Sequence, residues 1–321
     1  MRRDSQNPNS IANLKRSFDG SCRLVSHLAS PASQMPFGPL RAALPCSQCI
    51  NSCDPSIIDV AESSNIVKIS VLATSSSGNC TFIGTDSTRI LIDAGLTRRD
   101  TLERLSRLGE DPSKLDAILI THEHSDHVSG LPVLLRKWKI PVYATHLTAP
   151  SIDFDGVEPR LETFQAGTKF TIGDIEITSF TIPHDAIDPV GYTVESQGVK
   201  FGLAMDLGYM PESVKYHLRG CHMMVLESNH DLDMLKVGPY PWSVKQRVMG
   251  RKGHLSNDIV SQFILEDLDS TVETLLLGHL SEHNNHPAIV SLVASQALEK
   301  RGRSTKLVVA EPRRQSEIFM Y

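Results

Sequence analysis

The sequence predicts one α/β domain over residues 66–321 that packs two sheets together, preceded by an extension over residues 1–65. Three observations carry this. After Ile66, short apolar or alternating runs recur between helical stretches. About 250 residues are enough to bury a core between two sheets. The first 65 residues differ: they are rich in Ser, Pro, Asn and Arg and lack a periodic apolar stripe, which predicts disorder. Their basic residues, among them Arg2, Arg3, Lys15, Arg16, Arg23 and Arg41, also fit an organelle transit peptide, and an over-extended start codon would give the same text.

The elements follow in order. Strands are expected near 67–73, 81–84 and 89–93, then a helix near 98–108. The apolar run Ala117-Ile118-Leu119-Ile120 reads as a buried strand, followed by a helix near 128–137 and a strand at 142–144. Alternating segments at 169–171, 175–181, 191–195 and 200–205 suggest the second sheet. A helix near 212–218 precedes a strand at 223–227. Helices near 243–249, 258–266 and 287–299 fill the C-terminal third, and 307–310 reads as the last strand.

Residues 121–127 read THEHSDH, placing His122, His124, Asp126 and His127 within six positions at a strand end. Imidazole and carboxylate are ligands that borderline divalent metals prefer. Alternation in extended chain lets His122 and His124 grip one ion while Asp126 and His127 face a second.

This motif resembles the metal motif of the metallo-β-lactamase superfamily, which implies a four-layer αββα sandwich with metals at one edge between the sheets. The resemblance calls for a later histidine, a bridging aspartate and a last histidine, each at a strand end. His184, Asp206 and His279 stand in those contexts. It implies one ion on His122, His124 and His184, another on Asp126, His127 and His279, and Asp206 between them. His254 rivals His279. It precedes Ser256 and Asn257, either able to cap a following helix, and a histidine at such a terminus is well placed to meet an anion. His279 is therefore assigned to metal and His254 to phosphate, an arrangement similar to ribonuclease Z-type nucleases. Asp93, at the end of the 89–93 strand, is read as support for the metal loop.

Further stretches resemble the YycJ (WalJ) group of this superfamily from about Ile66 onward: 72–80 (LATSSSGNC), 90–95 (ILIDAG), 227–231 (ESNHD), 240–242 (YPW), 253–257 (GHLSN) and 278–282 (GHLSE). That resemblance implies a 5′-to-3′ DNA exonuclease linked to repair, using two divalent ions, zinc or manganese, that share an activated hydroxide. Asp126 would orient the hydroxide and His254 would contact the phosphate or protonate the leaving group. Gly278 departs from the alanine or threonine expected there, a change read as tolerable.

Candidate substrate contacts are Ser76, Ser77 and Asn79 in the 75–79 loop, and Lys245 and Arg247 in a basic run before His254. Arg136, Lys137 and Lys139 around Trp138 form a second basic cluster. Glu227, Asn229, His230 and Asp231 read either as supports for ligand rings or as a solvated turn. The net charge of −5 argues against a large nonspecific DNA-binding surface. No apolar run approaches the ~20 residues of a membrane span, so a cytoplasmic protein is expected, compatible with a homodimer. Cys46, Cys49 and Cys53 are suggestive of zinc but lack a near fourth ligand, Cys22 and His27 being distant. Cys80 and Cys221 read as small core residues. The rival function is hydrolysis of a small substrate, such as a cyclic phosphodiester, a thioester or a lactam. A non-catalytic metal-binding regulator is a third reading that the intact ligand set disfavours.

Overall fold

The computed structural model describes residues 66–321, which build two seven-stranded sheets flanked by helices. The first sheet runs β14 (Phe319–Met320), β1 (Lys68–Ala73), β2 (Cys80–Gly84), β3 (Arg89–Ile92), β4 (Ala117–Leu119), β5 (Val142–Thr145), β6 (Leu161–Phe164). The second runs β13 (Lys306–Val309), β12 (Thr274–Gly278), β11 (Met223–Glu227), β10 (Val199–Ala204), β9 (Val190–Ser196), β8 (Ile175–Thr181), β7 (Lys169–Ile172). The helices are α1 (Arg98–Arg107), α2 (Ser125–Val128), α3 (Leu131–Leu135), α4 (Glu212–Leu218), α5 (Leu232–Val237), α6 (Trp242–Val248), α7 (Asn257–Glu266) and α8 (Pro287–Arg301).

Side-chain alternation sorts the layers. In β4, Ala117 and Leu119 face the second sheet and join Ile69, Ile92, Tyr192, Val225 and Leu276 in the core between the sheets. Ile118 points the other way and packs with Leu105 of α1 and Leu131 and Leu134 of α3. In β11 and β12, Met224, Leu226, Leu275 and Leu277 meet Val214 of α4, Phe263 of α7 and Val290 of α8. Strands buried on both faces read as continuous apolar runs, which is why these were visible in the sequence. The result is the four-layer αββα sandwich.

Strand direction explains where chemistry can gather. β3 and β4 are parallel, and β1 runs the same way because it is antiparallel to β2, itself antiparallel to β3. In the other sheet β10, β11 and β12 are parallel, and β8 shares their direction through the antiparallel β9. The carboxyl ends of strands in such sheets form the natural ligand crevice. A buried phenol ties the sheets together there: Tyr192 Oη donates to the Ile120 carbonyl at 2.6 Å, and Val190 N to the Thr121 carbonyl at 3.0 Å.

Several expectations are corrected. The helix expected over 128–137 is two short helices, and it starts earlier, so Asp126 and His127 lie on α2. The break falls at Gly130, where a Cβ would sit 2.1 Å from the Leu96 carbonyl oxygen. The last strand is β14, which pairs with β1, rather than the 307–310 segment. β6 and α5 were not anticipated. The 1–65 extension, with Cys22, His27, Cys46, Cys49 and Cys53, lies outside the described residues. Cys80 and Cys221 are buried core residues, and burial pushes the Cys221 thiol up to about 12. Among the described residues no helix is long and apolar enough to cross a membrane.

Tyr192→Phe leaves the buried Ile120 carbonyl unsatisfied, and we expect a loss of about 1–2 kcal/mol in unfolding free energy. Denaturant unfolding measures it; a midpoint equal to wild type would show that this bond does not hold the sheets together.

Candidate metal centre

The THEHSDH segment leaves β4 and is clamped by backbone contacts from its neighbours. Ala94 N donates to the His127 carbonyl at 2.7 Å, and Asn79 N to the Asp126 carbonyl at 2.8 Å. Gly95 makes this approach feasible, since a Cβ there would lie 1.6 Å from the Asp126 carbonyl oxygen. Three non-glycine residues of the site or its support adopt left-handed backbone as they leave strands: Asp93 after β3 (φ 62°), Asp206 after β10 (φ 59°) and His279 after β12 (φ 55°). Such conformations cost about 1 kcal/mol or more each and persist where surrounding contacts impose them. Here Asp93 N donates to the Leu119 carbonyl at 2.7 Å, and His279 N to Thr74 Oγ1 at 2.9 Å.

The structure brings His122, His124, Asp126, His127, His184, Asp206, His254 and His279 together, joined by Glu227. His122, His124 and His184 place one nitrogen each within 4.8 Å of one another, as do one ligand atom each of Asp126, His127 and His279, and of Asp206, Glu227, His254 and His279. The tautomers follow from the outer partners. His127 Nδ1 faces Asp93 Oδ2 at 2.8 Å, His279 Nδ1 and His254 Nδ1 face Glu227 Oε1 at 2.9 and 2.6 Å, and His184 Nδ1 faces the Gly253 carbonyl at 3.3 Å. His122 Nδ1 meets Thr121 Oγ1 at 3.0 Å. An acceptor outside Nδ1 fixes the proton there and leaves the Nε2 lone pair for the interior. His124 differs: its Nδ1 points inward, 3.1 Å from His122 Nε2 and 3.3 Å from His184 Nε2.

Two interior atoms are orphaned. His279 Nε2 and Asp206 Oδ2 are buried without a hydrogen bond. Asp206 Oδ2 is 3.2 Å from His127 Nε2, but off the line a hydrogen bond needs. Converging lone pairs and an unpaired buried carboxylate oxygen are costly unless a cation lies among them. The donor set therefore fits divalent metal ions.

A family model for the β-lactamase superfamily domain matches residues 88–280. The chain belongs to the metallo-β-lactamase superfamily. The exodeoxyribonuclease YycJ of Bacillus anthracis is 37% identical over 236 residues, spanning 73% of this chain and 89% of that protein. The exodeoxyribonuclease WalJ of Streptococcus pneumoniae is 36% identical over 223 residues, spanning 68% and 83%. Among solved structures, the metallo-β-lactamase-fold protein YhfI of Bacillus subtilis superposes with a TM-score of 0.63 at 16% identity, covering 80% of this chain and all of that one. At such identity the likeness is one of fold. The protein is a hydrolase of this superfamily, whose fold implies divalent metal binding.

Electrostatics divide the hydrolase's centre into two halves. Burial holds His122 and His184 below the ordinary histidine range, as neutral ligands. Burial also works against charge on His127 and His279, but Asp93, Asp126, Asp206 and Glu227 outweigh it and push both well above the ordinary range. A field that favours a proton on an inward nitrogen favours a metal cation there too, and binding exchanges one for the other. Glu227 lies fully buried, and although burial raises a carboxyl, His254 and His279 pull it down to about 2.

The other sequence candidates distribute unevenly. Ser76 and Ser77 are exposed on the β1–β2 loop. Asn79 is buried, and its Nδ2 lies 3.0 Å from both Asp126 Oδ2 and His127 Nε2, so it positions those side chains instead of facing solvent as a phosphate contact. Lys245 is 8% exposed and donates to the Lys236 carbonyl at 2.7 Å, which removes it from any phosphate track. Arg247 is exposed and bonded to Asp185, the neighbour of His184. In the second basic cluster, Arg136 pairs with Asp155 and Lys137 lies over the Trp138 ring. Gly278 is no neutral change: a Cβ there would fall 2.6 Å from Thr74 Cγ2, against the residue that receives His279 N.

Glu227 is the residue whose weight sequence reasoning underestimated. Besides the two histidines it accepts Leu207 N at 2.9 Å and Leu255 N at 3.1 Å through Oε2. The available signal was its place at the end of an apolar strand, like the other site residues. Thr121, inside the motif, also escaped notice. Glu227→Gln turns an amide group toward donors, and we expect a loss of about 3 kcal/mol in the stability of metal-free protein. Chemical denaturation of the chelated protein reads this; an unchanged midpoint would mean Glu227 does not hold the histidines.

Proposed function

We propose that this hydrolase is a phosphodiesterase dependent on two divalent ions, zinc or manganese, acting as a 5′-to-3′ DNA exonuclease of the repair type. The observation that carries the reading is the grouping of His122, His124 and His184, and of Asp126, His127 and His279, with one ligand atom each within 4.8 Å, while Nδ1 of His122, His127, His184 and His279 meets a fixed hydrogen-bonding partner. His122, His124 and His184 would hold one ion. Asp126, His127 and His279 would hold the other, and Asp206 would be shared. When bound, the ions supply Lewis acidity toward phosphate oxygens and lower the pKa of water toward neutrality.

The chain's own groups do the rest. Asp126 is the more open carboxylate, its side chain 21% exposed against 3% for Asp206, and Asn79 Nδ2 fixes Oδ2. It can therefore orient the attacking water. His254 is 22% exposed, with Nδ1 held by Glu227, so Nε2 is the atom left for substrate. Burial lowers its pKa, but the charge and hydrogen bond of Glu227 with the charge of Asp206 outweigh this and raise it, so His254 retains a proton to give to a phosphate oxygen or the leaving group. The greater burial of His279 and its orphaned Nε2 support metal ligation there and substrate contact at His254. DNA as substrate draws its support from the identity to YycJ and WalJ over most of their lengths.

The test uses purified protein with manganese or zinc, 5′-phosphorylated linear duplex and closed circular DNA. Nucleotides should be released from the linear substrate alone, starting at its 5′ ends. His254→Ala should lower that rate about 100-fold or more. Turnover of bis(p-nitrophenyl) phosphate with no loss of DNA would overturn the exonuclease in favour of a small-substrate hydrolase.

A further inference from the structure

Helix α6 links the two sides of the metal centre. Just before it, the Tyr240 ring meets the His283 ring at 6.0 Å between centroids, on the loop that follows His279. Near its end, Arg247 Nε donates to Asp185 Oδ2 at 2.5 Å, beside His184. Lys245 Nζ ties the helix to the Lys236 carbonyl at 2.7 Å, and His254 N donates to the Val248 carbonyl at 2.9 Å. The helix is thus anchored at both ends and leads directly to the histidine proposed to meet substrate.

Its outer face holds a large apolar group in water. Trp242 is 63% exposed, and Val244 and Met249 are exposed on the same segment. A tryptophan ring normally buries most of its area. Trp138, the chain's other tryptophan, does so: it packs against the core beneath α1 and α3, and Lys137 Nζ lies over its ring at 4.6 Å. Among the described residues no aromatic ring or cation covers Trp242. Charge follows on the same stretch of chain. Asp185 offsets Arg247, whereas Arg251 and Lys252, both exposed, have no carboxylate within ion-pair distance among the described residues. The Arg251 guanidinium lies over the Tyr209 ring at 4.2 Å, which holds it in place. Trp242 and Arg247 are about 8 Å apart along the helix axis, the span of roughly two or three stacked bases. An exposed indole followed by cations suits a nucleic-acid strand, because every base offers a π-face while phosphates run alongside.

We propose that Trp242 stacks on a nucleobase of the DNA strand as α6 leads that strand to the metal centre, with Arg251 and Lys252 beside its phosphates. The proposal rests on the exonuclease reading and adds how the enzyme holds a strand whatever its base sequence. It concerns the bases of the strand and is independent of the chemistry of its end.

The experiment titrates zinc-loaded full-length enzyme with an oligothymidylate that has a 5′-hydroxyl end and hydrolysis-resistant phosphorothioate links. The chain has two tryptophans, so indole emission reports on Trp138 and Trp242 alone. Binding should quench it in wild type and in Trp138→Phe, and leave it unquenched in Trp242→Phe. Fluorescence anisotropy of the labelled oligonucleotide should give a Kd about tenfold higher for Trp242→Ala, with Trp242→Phe in between because a ring remains. Native mass spectrometry should find the wild-type zinc load in Trp242→Ala; a reduced load would count against the proposal, since the ring would then support the metal site. Quenching that survives in Trp242→Phe, wild-type affinity in Trp242→Ala, or no binding by wild type overturns it. So does a wild-type dimer that Trp242→Ala separates on gel filtration, since the ring would then cover a second copy of the chain. Wild type that binds through Trp242 yet digests no DNA overturns the exonuclease reading and retains the platform. DNA digestion together with wild-type affinity in Trp242→Ala removes the platform alone.

Discussion

The carboxylate of Asp206, buried where the two sheets meet and left with one oxygen unbonded, sets the requirement that the rest of the domain satisfies. Taking a carboxylate out of water costs several kcal/mol unless positive charge or donors replace the solvent. His127 Nε2 and the Nδ1 atoms of His279 and His254 lie around it, and Asp93 and Glu227 hold the Nδ1 atoms of all three rings. Glu227 then needs the Leu207 and Leu255 amides. Each buried polar group passes its demand outward until backbone amides meet it. A half-satisfied network of this kind is worse than an apolar core, which explains why so much backbone is committed to it.

The fold supplies the convergence. Strands β1, β3, β4, β8, β10, β11 and β12 end at one edge of the sandwich, and Thr74, Asp93, Thr121, His184, Asp206, Glu227 and His279 follow or close them. Left-handed backbone at Asp93, Asp206 and His279 turns the chain off its strand at once. The strain there is carried by the apolar core between the sheets and by bonds such as His279 N to Thr74 Oγ1. Rigid strand ends position the converging side chains, while Ser76 and Ser77 on the β1–β2 loop stay exposed.

Much of this could be read from the chain. Strands buried on both faces announce themselves as apolar runs, and a ligand-type residue at the end of each is a local signal, so His122, His124, His184, Asp206 and His279 were found together. What stayed hidden depends on contacts distant in sequence. The four residues of α2 are too few to display a helical period, and the two of β14 gain their meaning only from pairing with β1. Asn79 looked like a phosphate-loop amide because nothing local reveals Asp126 across 47 residues. Lys245 looked like part of a basic track because its capping of the Lys236 carbonyl is a matter of folding geometry. Gly278 gave no hint that Thr74 occupies the space a methyl group would take. Left-handed turns are legible at glycine, and at Asp93, Asp206 and His279 the sequence offers none.

The central claim is that these strand ends form a site for two cations sharing Asp206. Native mass spectrometry of the chelated full-length protein, titrated with zinc, tests it without reference to any substrate. The account predicts a species carrying two ions in wild type, absent in Asp206→Ala at the same metal concentration. Wild type that binds no zinc, or Asp206→Ala that binds two ions as readily as wild type, would contradict it.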